Sequence, residues 1–249
     1  MAFSWKRIAV ILADTVLGVY LLLAITAFNR PDTRTDVCQH VDIDIESTTV
    51  KGFLDANVVR SQLQHAKLYP QGDFMDDVDV RKIEEALLKN PFVKSAECYK
   101  TQTGRVRIKL QQRVPVVRVK SNTGDDYYVD SQGNMMYDTH YPSDMVVATG
   151  DITRKYARQV LSKVGNLLLQ EPLWRAQAEQ LNVLPDGSIE MVPRVGDHVV
   201  YLGQPVQLHQ KLLRLEKFYK YGLSQAGWNK YSYINLEFDN QIICKKRRK

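Results

Sequence analysis

Residues 79–112 read DVRKIEEALLKNPFVKSAECYKTQTGRVRIKLQQ. Asp79 suits a helix N-cap, and Val80, Ile83 and Leu87 follow at the spacing of one helical face. The pattern predicts a helix from Asp79 to Lys89. Asn90-Pro91 ends it, because the residue before a proline is pushed out of helical backbone. Phe92–Tyr99 and Arg105–Gln112 then read as two strands around the turn Thr101–Gly104. In the second strand Val106, Ile108 and Leu110 face one way and Arg105, Arg107 and Lys109 the other, the alternation of a half-buried strand. Upstream, Val41, Ile43 and Ile45 alternate with Asp42, Asp44 and Glu46, so a strand is expected over Val37–Ile45. Val59, Leu63 and Ala66 place a helix over Leu54–Ala66, and Tyr69–Asp73 is a turn. The order is β-α-α-β-β.

From Val114 the pattern changes. Strand-like runs at Val114–Val119, Asp126–Val129, Met135–Tyr137 and Met145–Ala148 precede a helix at Thr153–Gln170, whose Tyr156, Val160, Val164 and Leu167 share a face. Strands are expected at Leu181–Leu184, Ser188–Val192 and His198–Leu202. A further helix covers Val206–Tyr221, with Leu208, Leu212, Leu215 and Tyr219 buried and Lys211, Arg214 and Lys217 exposed. A single strand, Tyr231–Ile243, closes the domain.

At the N-terminus, Ile8–Phe28 runs 21 residues with one charge, Asp14. A run of about 20 apolar residues spans a bilayer core. Asp14 costs about 2.5–3.5 kcal/mol at mid-membrane, whereas each large apolar residue returns about 0.3–0.6 kcal/mol, so insertion wins. A cleaved signal peptide would have a shorter core and an A-x-A-like site; an uncleaved anchor is the expectation. Lys6 and Arg7 favour a cytoplasmic N-terminus. The fold class is α+β: a tail (1–7), one transmembrane helix (8–28), a linker (29–36), the β-α-α-β-β module (37–113), a mixed β domain with flanking helices (114–244) and a basic C-terminal tail (245–249).

The 249 residues carry a net charge of +6, but Lys245, Lys246, Arg247, Arg248 and Lys249 supply +5, leaving +1 on the other 244. A near-neutral body with a basic end does not make a nucleic-acid surface. Those five residues read as a solvated tail near an anionic envelope surface. Cys38, Cys98 and Cys244 lack metal-ligand spacing, and are compatible with one disulfide or with three free thiols. His40, His65, His140, His198 and His209 are scattered. Asp73, Asp76, Asp77 and Asp79 read as a turn and a helix start. HExxH, GxSxG, P-loop and GxGxxG motifs are absent. Catalytic residues, metal ligands, a cofactor and a small-molecule substrate are not expected.

Four local patterns in this order resemble the FtsQ/DivIB family of bacterial cell-division proteins. Asn90-Pro91-Phe92-Val93-Lys94-Ser95-Ala96-Glu97 is similar to the family's N-P-[WF]-V-x-x-A turn. Arg105–Leu110 followed by Arg113-Val114-Pro115-Val116 is similar to its strand ending in R-x-P-V. Tyr128-Val129-Asp130-Ser131-Gln132-Gly133 is similar to its V/L-D-x-x-G turn, and Tyr233–Asn240 to its C-terminal strand. The resemblance implies that residues 37–113 form a POTRA domain. It also implies a non-enzymatic divisome scaffold in the inner membrane at the septum, its body periplasmic, with partners such as FtsB and FtsL. In that family the last strand and the helix before it contact FtsB, so Tyr233, Phe238, Asp239, Asn240, Gln241, Ile242 and Ile243 are the candidate partner-binding residues. The competing reading makes Phe238 and Ile242 β-domain core. A membrane-anchored envelope enzyme or a secreted periplasmic binding module unrelated to division is the rival function.

Overall fold

The computed structural model describes residues 5–28, 37–46, 54–137 and 145–247. The expected linker (29–36), His140, Arg248 and Lys249 lie outside them. Helix α1 (Trp5–Phe28) contains a window, Ala9–Thr26, long and apolar enough to cross a membrane, and none of it is buried by protein. The Thr15 hydroxyl donates to the Ile11 carbonyl (2.9 Å) and that of Thr26 to Leu22 (2.8 Å), which satisfies both within the helix.

The first folded unit has the expected order: β1 (His40–Ile45), α2 (Ala56–His65), α3 (Val80–Leu88), β2 (Val93–Lys100) and β3 (Arg105–Gln112). The sheet order is β1-β3-β2, with β1 parallel and β2 antiparallel to the central β3. Asp79 caps α3 by accepting the Lys82 N–H (3.1 Å), and Asp55 caps α2 through Asn57 (2.7 Å) and Val58 (2.9 Å). Val59 and Leu63 from α2, Ile83 and Leu87 from α3, and Val106, Ile108 and Leu110 from β3 make the core. The first strand starts at His40; Val37 forms an isolated bridge with Phe74 instead. Cys38 and Cys98 are buried free thiols in this core, and Cys244 is a half-buried free thiol in the second unit. Burial pushes the Cys98 thiol up to about 12, so it packs as a small apolar group.

The second unit is one nine-stranded mixed sheet with helices. Its strands are β4 (Pro115–Ser121), β5 (Asp126–Asp130), β6 (Met135–Met136), β7 (Val147–Gly150), β8 (Ala178–Val183), β9 (Ile189–Pro193), β10 (Val199–Gly203), β11 (Tyr231–Asn235) and β12 (Ile243–Lys246). They lie in the order β12-β11-β10-β9-β8-β7-β4-β5-β6. Cross-strand partners point to the same face. One row of partners, Tyr127, Val119, Ala148, Leu181, Met191, Val200 and Ile234, crosses seven strands and is buried throughout. The helices at 154–170, Pro172–Gln177 and 208–226 supply the rest of that core through Leu161, Val164, Trp174, Leu212, Leu215 and Tyr219. A Cβ on Gly165 would stand 2.7 Å from the Val116 carbonyl oxygen, so glycine lets the helix lie against β4.

Expectations for two segments fail here. In the helix after β10, Leu208 and Arg214 are both half-buried, rather than buried and exposed respectively. Lys211 is buried, not exposed: its ammonium donates to the carbonyls of Leu202 (2.7 Å) and Gln204 (2.9 Å). Burial holds its pKa below the ordinary lysine value. Tyr231–Ile243 is not one strand. It breaks after Asn235, turns through Asn240 at φ 62°, and returns as β12 antiparallel to β11. The sheet thus runs through Lys245 and Lys246, which are strand rather than tail.

The two units meet through side chains. Phe92, Tyr128 and Met136 form a fully buried cluster with Met145 against it, the Phe92 and Tyr128 rings edge-on at 6.1 Å. Arg113 closes the rim, donating to the Pro91 carbonyl (3.1 Å) and the Asp130 carboxylate (2.9 Å). Asp130 also accepts from the Gln132 and Asn134 N–H groups (2.9 and 2.8 Å) and the Asn134 side chain (2.8 Å). Gly133 completes this turn at φ +82°, where a Cβ would stand 2.5 Å from the Arg158 carbonyl oxygen. Burial alone would raise the Asp130 pKa. The hydrogen bonds from Asn134, Arg113 and Gln132 prevail and hold it below the usual carboxylate value.

Candidate protein-interaction edge

The large sheet ends on β12, and the connector 236–242 lies beside it. Leu236 is buried and its N–H donates to the Tyr201 carbonyl (2.9 Å), anchoring the connector's start. Asn235 Oδ1 accepts the Glu237 N–H (2.8 Å), which turns the chain out of the strand. Arg214 holds the turn from the helix: its guanidinium donates to the carbonyls of Leu236 (2.8 Å) and Phe238 (2.6 Å).

The seven candidate residues fall into three environments. Tyr233 lies inside the sheet on β11, between β10 and β12; its ring stacks on Tyr201 at 6.2 Å and its hydroxyl donates to Glu190 (3.3 Å). Burial and the Glu190 carboxylate push its phenol up to about 12. Phe238, Asp239, Asn240 and Gln241 are exposed on the connector, and Ile242 is half-buried against the main core. Ile243 opens β12, pairs with Asn235 and is exposed. Phe238 is 47% exposed, so the reading of it as core is wrong, whereas for Ile242 it holds in part.

An open groove of about 500 Å³ separates the connector from the preceding helix, lined by Arg214, Lys217, Phe218, Tyr221, Gly222, Asn240, Gln241 and Ile242. The sequence reading omitted Phe218, Tyr221 and Gly222. Positions 214, 217, 218 and 221 follow the i, i+3, i+4, i+7 spacing of one face, a signal that was available. A Cβ on Gly222 would stand 2.6 Å from the Phe218 ring, so glycine keeps that ring in place.

The edge can bind main chain. The Arg247 N–H donates inward to the Lys230 carbonyl (3.0 Å). Alternation along an antiparallel pair then turns the N–H groups of Lys245 and Ile243 inward and those of Cys244 and Lys246 outward. Exposed lysines on an edge discourage pairing with an identical edge; Lys245 and Lys246 are both exposed. The Arg247 side chain folds back onto Asp197, 3.1 Å from its carboxylate.

Comparison with known proteins places these features. Residues 114–245 match the family model described as "FtsQ/DivIB, C-terminal related", more than half of the chain, and residues 36–111 match a POTRA-like domain. A protein of Rhodothermus marinus named "Cell division protein FtsQ" is 24% identical over 206 residues, covering 74% of this chain and 72% of that protein. A protein of Geotalea daltonii with the same name is 24% identical over 188 residues, covering 71% of this chain and 66% of the relative. The nine-stranded unit that ends on β12, joined to a POTRA-like domain, thus makes this chain a member of the FtsQ/DivIB family.

Proposed function

We propose that this chain is a non-enzymatic scaffold of the bacterial division machinery. Helix α1 holds it in the inner membrane with the N-terminus in the cytoplasm and the remainder in the periplasm. At the septum it joins membrane partners such as FtsB and FtsL by adding a partner strand to β12. The observation that carries this reading is the sheet's end: β12 closes the strand order while Cys244 and Lys246 direct N–H groups away from it. Exposed edges are templates for an added strand, and neighbouring apolar side chains give such pairing its specificity. Phe238, Ile242, Ile243 and the groove of Phe218 and Tyr221 supply those side chains. The lysines of β12 favour an acidic partner segment.

Depletion in the host with imaging of a functional fluorescent fusion tests the role. Filamentous cells and midcell bands are expected. Normal division with a diffuse envelope signal would remove the division role. A periplasm-only reporter at the C-terminus is expected to be active; an inactive one would reverse the topology.

A further inference from the structure

The exposed window of α1 holds one acidic residue, Asp14, and one glycine, Gly18. Both lie on a single seam. Positions 11, 14, 18, 21 and 25 step by three and four residues in turn, the spacing by which two helices pack side by side. Ile11, Leu21 and Ile25 on this seam are exposed, and a Cβ on Gly18 would meet nothing within 4 Å. Asp14 is exposed and has no hydrogen-bond or ion-pair partner among the described residues. The Thr15 hydroxyl beside it is occupied by the Ile11 and Leu12 carbonyls.

We infer that this seam receives a transmembrane helix of a different protein, which places a lysine or arginine against Asp14. The inference rests on the membrane reading above. An ionisable side chain within a membrane helix is costly unless it meets a complementary group, and glycine lets a neighbouring backbone come close. Charge complementarity selects the occupant: a second copy packed symmetrically would set Asp14 against Asp14.

The test uses the full-length chain in living host cells, with a photoactivatable amino acid at Leu21 or Ile25 on the seam, or at Val16 or Leu23 on the opposite side. The expected result is one adduct, of constant mass, from Leu21 and Ile25 and none from Val16 or Leu23. Its yield should fall about three- to tenfold in Asp14→Leu, the range of interhelical polar contacts, and recover in Asp14→Glu. The captured protein should carry a basic residue in its membrane helix. Reversing that residue to Asp should restore the adduct to Asp14→Lys. Adducts all round the helix, an adduct of two copies, no adduct, or a yield indifferent to Asp14→Leu would each overturn the inference. Alkaline extraction separates the two failures. A wild-type chain that extracts from membranes sinks the membrane reading and this inference together. A retained chain without the seam-specific adduct sinks the inference alone.

Discussion

The joint between the two units and the C-terminal edge both combine an aromatic side chain, a carboxylate and an arginine, yet they differ in what is left open. At the joint, Phe92 is fully buried and Arg113 and Asp130 satisfy each other. At the edge, Phe238 is exposed, Arg214 holds backbone carbonyls and the outer N–H groups of β12 face away from the sheet. Burial with complete pairing fixes geometry, because an unpaired group there is penalised in full. Exposure with incomplete pairing leaves a surface that a partner can complete. Under the proposed function, the joint supplies rigidity and the edge supplies recognition.

Removing the aromatic anchor of the joint should have the largest effect. Phe92→Ala is expected to cost about 3–5 kcal/mol in denaturant unfolding of the soluble body. The equivalent change at the edge, Phe238→Ala, should stay within about 0.5 kcal/mol. Equal costs would erase the distinction between the two sites. Asp130→Ala should cost nearly as much as Phe92→Ala, about 3–5 kcal/mol, because it breaks the largely buried pair with Arg113 and removes the acceptor of Gln132 and Asn134 at once. Arg214→Ala should cost less, about 0.5–1.5 kcal/mol for each lost hydrogen bond. Its more telling effect would be faster amide exchange confined to the connector 236–242.

The joint should also respond to acid. Because the folded-state pKa of Asp130 is depressed, its contribution is complete above the unfolded value, about 3.9, and disappears as pH falls through the folded value. The exposed carboxylates Asp79 and Asp186 and the half-buried Asp126, paired with Arg118, are shifted the same way. The informative quantity is therefore the stability difference between wild type and Asp130→Asn. It should be constant above about pH 5 and shrink below about pH 4; a difference that grows on acidification would contradict the assignment.

Much of the first unit was legible in sequence. Its caps, periods and stop signals are local, so Asp79, Asn90-Pro91 and the alternation of Arg105–Gln112 sufficed. The joint was not legible. Asn90-Pro91-Phe92, Arg113 and the Asp130–Gly133 turn were each visible as motifs, but their meeting is set by long-range packing that no spacing encodes. The last strand misled because the alternation of Ile234 and Leu236 continues through Phe238, while the break depends on the Asn235 side-chain bond and the positive φ of Asn240. Lys211 misled in another way. Its place in the helix pattern is polar, and its burial is explained only by the carbonyls of Leu202 and Gln204, which another segment brings to it. Tyr233 was placed on the correct strand, but that strand, β11, lies inside the sheet and β12 takes the edge.

The most direct measurement for the edge is Lys246→Pro. Lys246 is exposed and its N–H points outward, and proline is tolerated on an edge strand in that orientation. The soluble body should therefore unfold within about 1 kcal/mol of wild type. Its binding to the periplasmic segment of the partner should weaken about tenfold or more, since one main-chain hydrogen bond is lost and the ring obstructs the added strand. Unchanged stability with unchanged binding would contradict strand addition at β12.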